Sequence, residues 1–375
     1  MIEKFNAIER AGRFRFEAWF SARTEADRSW EVDEEAWQFR YRYLSRVVLG
    51  RHQVAAPLPL VRGETPDLLV TLHAEPAFLA GWALARARGT RTVVWIEPTF
   101  DTWVTRRRWK EGLKRQIFPR LDGVMTTGPD GNAFASRYGT AEERIFYLPY
   151  FSSFPQFGPA CRAARESRDQ RRESLGLRGV TFVYVGRLWS GKGLSYLVDA
   201  FAVLQRRSAG EVSLLVAGDG PDEEALRARC RKEGLKNVVF AGFFQREQLP
   251  FLYAAADVFV FPTLGDPFGQ VVEEAMSCGL PIISSSAAGE IEDRVEEGVN
   301  GFIVPSMNSA ALFDRMELLV SDPDLRRRMG EASLRKATAY TPDLWLERFE
   351  HAVEQILATP RAPIVAGRLG GGNPT

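Results

Sequence analysis

Three short segments of the chain carry residue types and spacings that could do chemistry. The first, Gly186-Arg187-Leu188-Trp189-Ser190-Gly191-Lys192-Gly193, follows the apolar run Val180–Val185. Its glycines let the backbone turn sharply, and its two cations stand five residues apart. That combination suits a diphosphate. The segment nearly matches the nucleotide pattern GxxxxGK[ST]. It has Gly193 where that pattern needs a hydroxyl for magnesium, which argues against a P-loop NTPase. The second segment, Gly265-Asp266-Pro267-Phe268-Gly269-Gln270-Val271-Val272-Glu273-Glu274, follows the apolar run Val258–Phe261. Pro267 and Gly269 make a tight turn, and a helix is predicted from about Gln270. Its first backbone N–H groups would face an anion. Asp266 and Glu274, eight residues apart, could each hold ligand hydroxyls, whereas Glu273, ~100° further round the helix, is predicted to face solvent. Each segment also has a plainer reading. The cations could be solvated turn charges, and the carboxylate could merely offset a helix dipole.

The third segment, Thr105–Arg120, holds Arg106, Arg107, Arg108, Lys110, Lys114, Arg115 and Arg120 against a single acid, Glu111. Trp109, Leu113 and Ile117 recur every four residues, so a basic amphipathic helix suited to an anionic membrane surface is predicted. The plainer reading is a solvated face over an inward apolar stripe, with Gly112 weakening the helix.

These segments need a scaffold. The 375 residues are 45% hydrophobic and 26% charged, as in an ordinary globular chain long enough for two or three domains. A net charge of +1 gives no global reason to expect a nucleic-acid partner. Of the 49 basic residues, Lys4, Lys110, Lys114, Lys192, Lys232, Lys236 and Lys336 are the lysines, so a lysine in a glycine-rich turn stands out. Cys161, Cys230 and Cys278 are far apart, and His52, His73 and His351 are scattered. A reducing compartment is expected, with no disulfide framework, no structural zinc and no metal site. Nothing reads as a membrane span or a signal peptide.

The first half reads as α/β. A helix is predicted over Glu3–Gly12, then strands at Arg15–Phe20, Asp67–Leu72 and Arg91–Ile96. A helix falls at Glu75–Arg88, and shorter strands at Gly123–Thr127 and Ile145–Leu148. Tyr150–Gly158 has no periodicity and Ala160–Arg172 is polar, so this stretch is read as a linker. From Gly179 the alternation is clean: strands at Val180–Val185, Val212–Ala217, Val238–Ala241, Val258–Phe261 and Pro281–Ser284 are separated by helices. That pattern means βαβ units and a parallel sheet, with ligands at the strands' carboxyl ends. An amphipathic helix follows Pro342, and a Gly-rich tail is predicted to be disordered.

The order and spacing of Gly186-Arg187 with Lys192-Gly193, Ala217-Gly218-Asp219-Gly220-Pro221, Asp266-Pro267-Phe268-Gly269 with Glu274-Ala275-Met276, and Gly279-Leu280-Pro281 resemble the retaining glycosyltransferases of family 4. The resemblance is good over Val180–Glu331 and loose in the N-terminal half. It implies a GT-B fold, two Rossmann-like domains facing across a cleft. The domains would be an acceptor-binding one at 1–152 lacking its first βα unit, a linker at 153–175 and a nucleotide-sugar-binding one at 176–340. A helix at 341–358 would cross back, ahead of a tail at 359–375. It further implies that Arg187 and Lys192 bind the donor diphosphate, Asp266 the sugar and Glu274 the ribose. Gly186, Gly218, Phe268, Gly269, Gln270 and Val271 would line the donor, with Gly242 and Phe243 near the base. Glu97, in Val94-Trp95-Ile96-Glu97-Pro98, stands where many relatives have a histidine, and a catalytic role is expected of it. A carboxylate before Pro98 could equally be structural. The implied activity is retaining, metal-independent transfer from a nucleotide sugar to a saccharide or lipid-linked acceptor, with no further cofactor. The setting would be bacterial envelope or exopolysaccharide assembly, in the cytoplasm or on the inner face of its membrane. A nucleotide-sugar epimerase of the same fold, which should lack the Arg187/Lys192 pairing, and a nucleotide-sugar-binding protein without catalysis are the alternatives.

Overall fold

The computed structural model describes residues 2–21, 33–49, 52–55, 65–72, 76–96, 108–149, 154–208, 211–339 and 341–362. The chain forms two units, one drawn from the residues up to Glu97, from Thr105–Tyr150 and again from Pro342, the other chiefly from Phe151–Thr341. His73, Glu97, Arg106, Arg107 and the predicted tail beyond Ala362 lie outside the described residues.

The first unit runs α1 (Ile2–Ala11), β1 (Glu17–Phe20), β2 (Arg40–Tyr43), β3 (Arg46–Leu49), β4 (His52–Ala55), β5 (Leu68–Leu72), α2 (Pro76–Ala87), β6 (Arg91–Ile96), α3 (Arg108–Ile117), β7 (Gly123–Thr126), α4 (Pro129–Arg137) and β8 (Ile145–Tyr147). Strands β5-β6-β7-β8 form a parallel sheet in chain order. Its buried strands are apolar runs, as parallel strands covered on both faces must be. β1 pairs with β2 in parallel, and β3 with β4 as an antiparallel pair. The chain's last helix, Pro342–Ala358, packs on this unit: Trp345 stacks on Trp95 of β6 with centroids 5.8 Å apart. The Lys4 ammonium lies 4.7 Å from the Trp95 ring and 5.4 Å from that of Trp345, so a buried lysine faces two aromatic surfaces.

The second unit starts with α5 (Phe154–Arg165) and α6 (Arg168–Ser174). It continues β9 (Val180–Val185), α7 (Leu194–Arg207), β10 (Val212–Ala217), α8 (Glu223–Lys232), β11 (Val238–Gly242), α9 (Leu249–Ala255), β12 (Val258–Phe261), α10 (Gln270–Ser277), β13 (Ile282–Ser285), α11 (Ile291–Arg294), β14 (Gly301–Val304), α12 (Ser309–Ser321) and α13 (Pro323–Ala339). The six strands pair in parallel in the order β11-β10-β9-β12-β13-β14. This is a doubly wound sheet whose order reverses between β9 and β12. Such a reversal leaves a crevice at the strands' carboxyl ends.

Two expectations from the sequence are corrected by the fold. The stretch that reads as a linker is helical. On α5, Phe157, Cys161 and Ala164 are buried at helical spacing in the core of the second unit. Three arginines of α5 and α6 are structural. Arg165 donates to the Cys278 carbonyl, Arg168 to the Ala254 carbonyl and Arg172 to the Ala255 carbonyl. Arg168 and Arg172 also pair with Asp257 at 2.7 and 3.2 Å. The second correction concerns the cysteines: Cys161 and Cys278 form a disulfide across 117 residues, with Cα atoms 5.5 Å apart. Distance along the chain hides this pair, because only the packing of α5 on α10 brings the two together. Cys230 is free and buried.

Candidate donor site at the sheet's reversal

The turn after β9 is shaped by close backbone approaches. Gly193 has φ 68°, and a Cβ there would lie 2.0 Å from the Pro262 carbonyl oxygen. At Gly218, after β10, a Cβ would lie 1.9 Å from the Gly186 oxygen. Only glycine lets the β9, β10 and β12 loops meet this closely. Gly186 N donates to Ala217 O at 3.0 Å, Gly218 N to Gly242 O at 2.7 Å, and Leu264 N to Gly191 O at 2.9 Å. The glycines singled out in the sequence therefore tie the carboxyl ends of β9, β10, β11 and β12 together.

Lys192 and Asp266 meet at this point. The lysine ammonium bonds the Asp266 carboxylate, joining the loop after β9 to the loop after β12 on the two sides of the reversal. Arg187 is exposed in the same turn, where its carbonyl accepts from the buried Tyr184 hydroxyl at 3.0 Å. Burial and the Asp266 charge raise the Tyr184 pKa far above that of an ordinary phenol.

Asp266 also shapes its own loop. Its other oxygen accepts from Phe268 N at 3.0 Å. The Phe268 N–H, expected to face a ligand, is thus engaged within the loop, and the Phe268 ring is buried. Gly269, Gln270 and Val271 open α10, where N–H groups have no intrahelical acceptor.

Both glutamates of α10 are buried, each 5% exposed. For Glu273 this overturns the predicted solvent exposure. Packing of α10 against α5 and α13 leaves Val272–Ser277 buried all round, so no face of that stretch is wet. Burial pushes the Glu273 pKa up, against Arg294 and Lys336, which favour its ionised form. Glu274 accepts from the Tyr253 hydroxyl at 3.1 Å and has Arg246 Nε at 3.6 Å. Burial is the largest influence on it and raises its pKa to about 7, with Arg246 and Tyr253 opposing. Gly242 ends β11, and Phe243, the next residue, has an exposed ring.

Sequence reasoning misses two cations. Arg246 approaches Glu274 from the start of the turn before α9. Arg294 is 5% exposed and lies at the end of α11, with its guanidinium 4.1 Å from the Phe268 ring centroid. It donates to the carbonyls of Phe268, Gly269, Gly289 and Glu290. Neither has a local signature, since each is one arginine among many and becomes distinctive only through tertiary contacts.

The basic segment of the first unit is a helix, α3, and among its cations Lys110 and Arg115 are exposed. Lys114 does not belong to that surface. It is half-buried, pairs with Glu111 at 3.0 Å, and lies 5.4 and 5.1 Å from the Phe134 and Tyr138 rings. Trp109, placed on the inward stripe by its spacing, is 62% exposed, whereas Ile117 is buried.

Comparison with solved structures defines the architecture. HepE of Anabaena, solved in complex with UDP, has the same fold with a TM-score of 0.75 at 18% identity. The match covers 94% of this chain and 96% of that one. Sucrose-phosphate synthase of Thermosynechococcus elongatus gives a TM-score of 0.73 at 20% identity, covering 95% and 92% of the two chains. The fold is the GT-B fold of glycosyltransferases. More particularly, residues 167–336, the segment that builds the site, match the family model of glycosyl transferases group 1. Among curated relatives, alpha-D-kanosaminyltransferase of Streptomyces kanamyceticus is 32% identical over 190 residues, 50% of this chain and 48% of that protein. The chain spans about half the length of these curated relatives. Among the described residues no helix is long and apolar enough to cross a membrane, and no cluster of three or more His, Cys, Asp or Glu could hold a metal ion.

Proposed function

We propose that the chain is a retaining glycosyltransferase that moves a sugar from a nucleoside diphosphate donor to a saccharide or lipid-linked acceptor, in bacterial envelope or exopolysaccharide assembly. One observation carries the reading. Lys192 and Asp266 meet where the sheet order reverses, beside the opening turn of α10. Ligands of doubly wound sheets bind at such a point. In this reading Arg187 and Lys192 hold the diphosphate, Asp266 the sugar hydroxyls and Glu274 the ribose hydroxyls. Gly242 and the exposed Phe243 lie toward the base, and the Gly269, Gln270 and Val271 N–H groups face the phosphate or the sugar.

The chemistry follows from charge. The bond from the anomeric carbon to the diphosphate oxygen breaks and leaves negative charge on the departing group. Fixed cations and helix N–H groups stabilise that charge without reorganising. The acceptor oxygen bonds the same face of an oxocarbenium-like carbon, and its proton passes to the departing phosphate. The positive charge required is supplied by Arg187 and Lys192, so the proposed reaction is metal-independent.

The test is nucleotide release from a panel of UDP-, GDP-, ADP- and dTDP-sugars, beginning with UDP-glucose, the donor with which HepE has been solved. Release from one of them, stimulated by an acceptor, is expected. Binding without release would leave a nucleotide-sugar-binding protein, and interconversion of donor sugars an epimerase. Neither binding nor release would refute the reading.

The exposed cations and Trp109 of α3 support a second part of the proposal, contact with an anionic membrane surface. Each exposed cation would contribute about 1 kcal/mol near such a surface. Co-sedimentation with vesicles rich in anionic phospholipid is expected to weaken with salt and to fall further in Lys110→Glu/Arg115→Glu. Binding that ignores both salt and the substitutions would contradict it.

A further inference from the structure

We infer that Arg294 is a positioning residue for the donor loop; the inference rests on the reading of Asp266–Val271 as donor-contacting. One planar guanidinium reaches four carbonyls in two loops. Nη1 donates to Gly269 O at 3.1 Å, Nη2 to Gly289 O at 2.8 Å and to Phe268 O, and Nε to Glu290 O at 3.3 Å. The same two loops are joined by their backbones, Gly289 N donating to Asp266 O at 2.8 Å and Asp266 N to Ala287 O at 3.4 Å. Two of the four residues are left-handed: Gly269 at φ 69° and Glu290, which is not glycine, at φ 54°. A buried non-glycine residue in that region is held there by its surroundings. Here the surroundings include the arginine, which bonds its carbonyl.

The consequence for the ligand side follows from peptide geometry. In a trans peptide the carbonyl of one residue and the N–H of the next point in opposite directions. Arg294 draws the Phe268 and Gly269 carbonyls toward itself. It thereby turns the Gly269 and Gln270 N–H groups away from the buried side, at the opening turn of α10. Arg294 does not touch the donor in this scheme. It sets the direction of the groups that do.

Lysine cannot replace it, because a single ammonium lacks the planar fork that spans both loops. Glu273 is also buried, on α10. It is the acid with the largest influence in favour of the charged form of Arg294, against a burial that lowers the arginine's pKa. Removing the arginine alone would leave Glu273 buried with less positive charge around it. The informative variants are therefore Arg294→Lys and the double variant Arg294→Met/Glu273→Gln.

The experiment pairs amide hydrogen exchange of the unliganded protein with steady-state kinetics on whichever sugar nucleotide the wild type cleaves. Exchange at Phe268, Val272 and Gly289, whose amides are hydrogen-bonded within the two loops, is expected to speed up at least ~10-fold in both variants. The value of kcat per folded molecule is expected to fall at least ~10-fold, with the donor KM changing by less than ~3-fold. A core variant matched in thermal stability, Ile283→Val, should change neither. If the double variant does not fold, Arg294→Lys decides alone, since it keeps the charge and loses the fork. Wild-type exchange at these amides in a folded variant would overturn the inference. So would faster exchange with unchanged kcat. If the wild type cleaves no donor, the functional reading falls, and the exchange data still decide whether Arg294 orders the loop.

Discussion

Lys192→Ala should lower kcat/KM for the sugar nucleotide by at least ~10-fold, about 1.4 kcal/mol of transition-state stabilisation. The ammonium is the cation that the fold brings to the sheet's reversal, where it now rests on Asp266. A donor diphosphate would take it over, and in the transition state it would face the growing negative charge of the leaving group. Alanine removes that charge and leaves the Asp266 carboxylate beside the same phosphate, so repulsion adds to the loss. The side chain is partly exposed and sits outside the apolar core, so the thermal unfolding temperature should move by only a few degrees, an effect of about 1 kcal/mol or less. Near wild-type kinetics for this variant would refute the assignment.

The second large effect belongs to Glu274. Glu274→Ala should also cost at least ~10-fold in kcat/KM, because two ribose hydroxyls would lose a buried acceptor. Its pH dependence is more specific. With its pKa raised from an ordinary 4.5 to about 7, the group is mostly a neutral acid below about 7 and a carboxylate above it. The carboxylate accepts stronger hydrogen bonds. Thus kcat/KM should rise with pH through an inflection near 7, and Glu274→Gln should abolish that inflection. Arg246, 3.6 Å away, favours the carboxylate, so Arg246→Met should move the inflection to higher pH. Stability runs the other way. A carboxyl whose folded pKa exceeds its unfolded value opposes folding as it ionises, so its cost grows between about 4.5 and 7. Melting curves of Glu274→Gln should therefore gain on the wild type as pH rises through that window. A constant difference across it would count against a protonated, buried Glu274.

Much of the second unit's fold is legible in the amino-acid sequence. Apolar runs of about six residues, each followed by an amphipathic helix, give a doubly wound sheet almost by elimination. The Lys192 and Asp266 segments stand out because glycine, proline and charge sit at strand ends, where such sheets bind ligands. What stays hidden depends on burial. α5 carries its apolar residues at Phe157, Cys161 and Ala164, a helical spacing masked by Pro155, Pro159 and the arginines around them. Those arginines look like a solvated linker until the carbonyls they bind are known. A helical wheel puts Glu273 in solvent because it assumes one wet face, and the buried stretch of α10 has none. Arg294 and Arg246 are single cations in ordinary sequence, chosen by loops that come from elsewhere in the chain. Glu290 breaks the rule that a left-handed residue announces itself as glycine.

The central claim, that the reversal of the second unit's sheet binds a nucleoside diphosphate through Lys192, is tested most directly by equilibrium titration. UDP, GDP, ADP and dTDP would each be titrated calorimetrically into the wild type and into Lys192→Ala. One of the four should bind the wild type with micromolar affinity and bind the variant at least ~10-fold more weakly. Equal affinity for both proteins, or no binding of any of the four to the wild type, would contradict it.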